Sequence, residues 1–147
     1  MKPFQCILVA TDFGEASERA LAGAIDLARR FDAKLSVVHC FEVPSYAYAG
    51  MYGSSVDLLT PIREGAERQL QELMARVRQQ VPSATGTLRT GVAYDEILGI
   101  AKRDHADLIV LGTHGRQGVS RMLLGSVAEK VVRLSPVPVL TVRGEVR

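Results

Sequence analysis

Two rhythms of apolar residues alternate along the chain. Residues 6–12, CILVATD, are a compact apolar run ending in turn-type residues, the pattern of a strand buried on both faces. From Glu15 onward Ala20, Leu21, Ala24, Leu27, Ala28 and Phe31 recur at helical spacing while Glu18, Arg19, Asp26, Arg29 and Arg30 take the remaining surface, which predicts an amphipathic helix lying on a sheet. Residues 34–43 return as a second β-rich run. Residues 44–61 hold Pro, Gly, Ser and three tyrosines without a period and read as a long mobile loop. Helical spacing resumes over 62–81 with Ala66, Leu70, Leu73 and Val77 and stops before Pro82. Residues 84–92 give a weak third strand, Ile97, Leu98 and Ala101 a short helix between Tyr94 and Asp104, and 106–112, ADLIVLG, the most apolar strand signal. Ser126 followed by Glu129 reads as a capping box opening a helix that runs to about Leu134, and Val137 to Arg143 forms the last strand.

Strands alternating with helices imply right-handed βαβ crossovers, hence a single α/β domain over residues 1–147 with an open, five-stranded parallel sheet and helices on both faces, Rossmann-like in layout. Winding outward from the first strand, then returning to its other side, gives the order 3-2-1-4-5 and puts strands one and four side by side at the switch point.

Composition narrows the function classes. A net charge of +2 with no basic run longer than Arg29-Arg30 names no nucleic-acid partner. No stretch approaches the roughly 20 apolar residues of a membrane span, and the apolar run Cys6 to Ala10 is too short for a signal segment, so the expected location is the cytoplasm. Cys6 and Cys40 fall at opposite ends of neighbouring strands, on the order of 20 Å apart, too far to bridge. The three histidines are dispersed and form no metal cluster.

Open α/β sheets bind ligands beyond the carboxyl ends of their strands at the switch point. There the sequence places Ala10-Thr11-Asp12, His39-Cys40-Phe41 and the segment GTHGRQGVSRMLLGS of residues 112–126. Gly112 and Gly115 would let the backbone turn with N–H groups inward, Gly125-Ser126 would aim a helix N-terminus at the same space with the Gly125 N–H on a phosphate, and Arg116 and Arg121 would add charge at the rim. Asp12 would accept from a ribose hydroxyl or hold a metal bridging phosphates. Plainer readings stand beside these: Ser126 as a helix cap, Asp12 as an Asx-turn, the arginines as a solvated face, His114 as a turn residue, and His39 and Cys40 as strand-end packing. The chain lacks GxxxxGK[ST], and only Gly14 follows strand one where a dinucleotide fold needs GxGxxG.

The spacing Gly112-x2-Gly115-x9-Gly125-Ser126, together with VATD (9–12), VVHC (37–40), GVAYDEI (91–97) and SPVPVLTV (135–142), resembles the ATP-binding branch of the universal stress protein family over essentially the whole chain. The resemblance implies ATP with adenine near Asp12 and Val38 to Cys40, ribose near Gly112, and phosphates on Gly115, Gly125, Ser126 and Val127, with Ala10, Thr11, Leu111, His114 and Arg116 completing the site. Mg2+ or Mn2+ would accompany the phosphates. Cys40 departs from the small aliphatic residue usual beside the adenine. A homodimer joined through Val137 to Arg143 is the expected assembly, since the fifth strand is a sheet edge only partly blunted by Pro136 and Pro138.

Three functions follow: a nucleotide-dependent regulator of stress survival, a weak ATP hydrolase or phosphotransferase, and a chaperone-like dimer without nucleotide. Phosphoryl transfer demands positioned cations and an oriented nucleophile, and the glycine segment has no lysine and no clear general base, so binding is favoured over turnover.

Overall fold

A computed structural model describes residues 3–44, 57–114 and 124–144. The elements run β1 (Cys6–Thr11), α1 (Glu15–Phe31), β2 (Lys34–Phe41), α2 (Leu59–Gln80), β3 (Thr85–Thr90), α3 (Ala93–Arg103), β4 (Leu108–Gly112), α4 (Ser126–Leu134) and β5 (Val139–Val142). All five strands are parallel in the order β3-β2-β1-β4-β5, as the alternation predicts.

The period of two along the strands divides the core into two layers. Ile7, Val9, Leu35, Val37, Leu108 and Val110 face α1 and α2, where Ala20, Ala24, Leu73 and Val77 meet them. Leu8, Val38, Ile109 and Leu111 face α3 and α4, against Ile97, Ile100, Ala128 and Val131. Because β1 and β4 are buried on both sides, their sequences are continuous apolar runs rather than alternating ones. Charge also suits the direction of α1: Glu15 and Glu18 occupy its first turn and Arg29 and Arg30 its last, each complementing the helix dipole.

Three departures from the sequence pattern have a local physical cause. Helix α2 begins at Leu59, three residues before the apolar period starts, because the Asp57 carboxylate accepts the Leu59 and Thr60 N–H groups at 3.0 and 3.2 Å and Pro61 is tolerated in a first turn. Most of the expected loop over 44–61 lies outside the described residues. Strand β5 is shorter than Val137 to Arg143, since Pro138 offers only its carbonyl, which takes the Ile109 N–H at 3.0 Å. The capping box is not formed: Gly125 occupies the cap position, Ser126 is the first helical residue with no capping bond, and Glu129 pairs instead with Arg133 one turn on. Both cysteines are free thiols.

Candidate nucleotide site

At the carboxyl end of β1 the chain makes a tight turn through Asp12, Phe13 and Gly14 into α1. Phe13 takes the left-handed conformation, φ 63°, which costs a non-glycine residue about 1 kcal/mol. Hydrogen bonds hold it there. The Gly14 N–H donates to Asp12 Oδ1 at 2.8 Å, so the Asx-turn reading of Asp12 is correct as far as that oxygen goes. The Phe13 N–H donates to Thr11 Oγ1 at 3.0 Å, and Ser17 on α1 donates to Asp12 Oδ1 at 2.8 Å.

The period of two separates the two candidates at the end of β2. His39 points toward α1, buried, with Nδ1–H donating to the Thr11 carbonyl at 2.8 Å and its ring 4.4 Å from that of Phe13. It supports the turn from behind. Cys40 points to the other face and lines the cleft, its thiol donating to the Gly91 carbonyl at 3.5 Å. Burial, then the nearby Glu96 and Glu42 carboxylates, push the Cys40 thiol up to about 11, so it stays protonated at neutral pH.

Strand β4 closes the floor. A Cβ on Gly112 would sit 2.8 Å from the Ala16 carbonyl carbon and 2.9 Å from the Ser17 nitrogen, so this glycine is required by the start of α1 packing on the strand. Thr113 donates its N–H to Val142 at 2.9 Å, and its carbonyl accepts the N–H of Gly125. That bond corrects the expectation that the Gly125 N–H is reserved for a phosphate. The N–H groups of α4 without a partner in the helix itself are those of Ser126, Val127 and Ala128, because the first intrahelical bond runs from Glu129 to Gly125.

One cleft gathers these groups at the β1–β4 switch point. Of the residues singled out from sequence, Ala10, Thr11, Asp12, Cys40, Leu111, Gly112, His114, Gly125, Ser126 and Val127 line it. Val38 does not: with no exposed surface, it belongs to the core under α3. Gly115, Arg116 and Arg121 lie outside the described residues. Ser17, Ala93, Ile97, Thr113 and Ala128 also line the cleft and were missed from sequence. Ala93 and Ile97 are one helical turn apart, the spacing that would have placed both on one face of α3. Among the described residues no group of three or more His, Cys, Asp or Glu side chains is placed to hold a metal, and no helix is long and apolar enough to cross a membrane.

The arrangement is chemically graded. The helix N-terminus offers N–H donors and the positive end of a dipole, suited to an anion, while Ala10, Cys40, Ala93 and Ile97 offer a small apolar slot. Asp12 stands between as an acceptor.

Comparison with known proteins agrees with this geometry. The model of the universal stress protein family matches residues 3–143. A universal stress protein of Thermus aquaticus is 37% identical over 147 residues, covering 95% of this chain and 99% of its own. Among solved structures, a universal stress protein in complex with cAMP superposes with a TM-score of 0.70 at 26% identity, covering 98% of this chain and all of the other. One from Archaeoglobus fulgidus in complex with dAMP gives 0.64 at 25% identity, with 96% and 99% covered. The two-layer sheet, the cleft at its switch point and a match over nearly the full length lead to one assignment: the chain belongs to the universal stress protein family.

Proposed function

We propose that this protein binds ATP at the switch-point cleft and acts as a nucleotide-dependent regulator of stress survival in the cytoplasm. The observation that carries the reading is the meeting, in one cleft, of the free N–H groups of α4, an apolar slot and the Asp12 carboxylate. Phosphates sit on the N–H groups of Ser126, Val127 and Ala128. The ribose lies at Asp12 and Gly112. The base enters between Ala10, Cys40, Ala93 and Ile97. The adenine nucleotides carried by the cAMP and dAMP complexes of its relatives support the same ligand class. A Mg2+ or Mn2+ ion would arrive already bound to the phosphate oxygens and keep water as its remaining ligands, since Asp12 is engaged at the ribose.

The dimer forms through the β5 edge, where Leu140 is 40% exposed. Val139 packs toward α4 and Val142 toward α1, so Leu140 is the residue of this strand left to meet a second copy. Light scattering is expected to give twice the 16.0 kDa chain mass, falling to the monomer in Leu140→Lys. Mass spectrometry of small molecules released from protein purified without added nucleotide is expected to find ATP, and calorimetry on stripped protein a Kd in the micromolar range, about −8 kcal/mol. No ATP in the first and no heat at millimolar ATP in the second would sink the reading.

A further inference from the structure

Three hydroxyl and carboxylate groups at the β1–α1 turn form a chain whose proton order can be worked out. Asp12 is acceptor-only, so the 2.8 Å contact between Ser17 Oγ and Asp12 Oδ1 uses the serine proton. The Gly14 carbonyl lies 3.0 Å from the same hydroxyl, but the charged acceptor holds the proton more strongly. With its proton committed, Ser17 Oγ must accept at 3.2 Å from Thr11 Oγ1, which in turn accepts the Phe13 N–H at 3.0 Å. The order therefore runs from the Phe13 amide through Thr11 and Ser17 to Asp12. Ser17 is 5% exposed and Thr11 equally so, which keeps bulk water from substituting for either.

Two donors of this network converge on one carboxylate oxygen. Oδ1 takes both the Ser17 hydroxyl and the Gly14 N–H, and Oδ2 has no partner among the described residues. Asp12 and Ser17 both line the cleft. A carboxylate held by one oxygen with the other unspent is an acceptor for ligand hydroxyls, and its charge repels phosphates toward the α4 end. We infer that Ser17 is a positioning residue, which fixes the Asp12 carboxylate so that Oδ2 accepts a ribose hydroxyl of the bound nucleotide, making the site selective for ribonucleotides over their deoxy analogues. The inference rests on the nucleotide reading above and adds to it the part of the ligand being read and the residue that enables the reading.

The test is calorimetry with ATP, 2′-deoxy-ATP and 3′-deoxy-ATP on the full chain and on Ser17→Ala. The parent is expected to prefer ATP over at least one deoxy analogue by about tenfold. In Ser17→Ala that preference should fall below about threefold, with affinity for the deoxy analogue changed less than about twofold. A variant that weakens all three ligands equally, or that keeps the parent's preference, overturns the assignment. So does a parent that binds all three alike, an outcome that leaves the nucleotide reading intact, whereas a parent that binds none overturns both. If Ser17→Ala does not fold, Ser17→Cys, similar in size and a weak donor, is read in the same way. Loss of the fold in both variants would assign Ser17 to holding the turn together and overturn the proposal.

Discussion

The two ends of the sheet are built from the same residue types and use them differently. At the amino end, Asp107 accepts the Gln5 N–H on Oδ2 at 2.8 Å and the Cys6 N–H on Oδ1 at 3.1 Å. Asp104 beside it accepts Arg103 Nε on Oδ1 at 2.7 Å and the Ser36 hydroxyl on Oδ2 at 2.8 Å. All four of these carboxylate oxygens are engaged, three of them by residues at the start of β1 or in β2. At the carboxyl end Asp12 keeps Oδ2 without a partner among the described residues, and α4 presents three N–H groups its own helix does not use. Residue type alone does not separate a fastening from a site; unspent hydrogen-bonding capacity does.

The sharpest challenge to that contrast is Gly112→Val, a change at the carboxyl end whose cost is expected to be structural. The new side chain would strike backbone of α1, and about 3 kcal/mol of destabilisation is expected, a melting temperature lower by about 6–12 °C. An unchanged melt would mean that the glycine serves a ligand and not the packing of α1. At the other end, Asp107→Ala strands the part-buried Cys6 N–H and leaves that of Gln5 to water, and is expected to cost about 1.5 kcal/mol by denaturant titration while leaving the ATP Kd unaltered. A change in Kd would show that the ends are coupled.

Smaller and pH-dependent is Asp104. The Arg103 hydrogen bond, then that of Ser36, holds its carboxyl below the usual range. A carboxylate whose folded pKa is depressed contributes stability above its unfolded pKa and loses it as pH falls through the folded value. Asp104→Asn is therefore expected to cost about 1 kcal/mol at pH 7, solvent screening at Arg103 keeping it modest, and progressively less as pH drops from 5 toward 2. A difference that grows on acidification would contradict the pairing. Least disruptive is Ser126→Ala. Since Ser126 makes no capping bond and alanine keeps the backbone N–H offered to the phosphate, stability should stay within about 0.5 kcal/mol and the ATP Kd within about threefold; a larger loss of affinity would show that the hydroxyl itself holds the ligand.

Much of the fold was legible because a parallel sheet covered on both faces demands apolar runs such as CILVA and LIVL, and crossovers of one hand leave few orders to choose from. The carboxyl-end segments were legible for the same topological reason. What escaped depended on competition among neighbours. Ser126 and Glu129 have capping-box spacing, yet Arg133 one turn on claims the glutamate. Val38 and Cys40 share a face, but only Cys40 reaches past the end of β1, whose last residue Thr11 is paired with His39, a matter of relative strand length. His39 and Cys40, adjacent in sequence, could have been assigned to opposite faces from the period of two. Ser17, Ala93 and Ile97 enter the cleft from helices whose approach depends on packing and not on any local motif.

The hydrogen bond from Gly125 to Thr113 is a clasp that ties the start of α4 to the end of β4. Loop closure entropy grows only logarithmically, about 0.6 kcal/mol for each doubling of length. The clasp therefore uncouples loop length from cleft geometry: residues added between Thr113 and Gly125 lengthen the hoop while β4, β5 and the start of α4 stay in register.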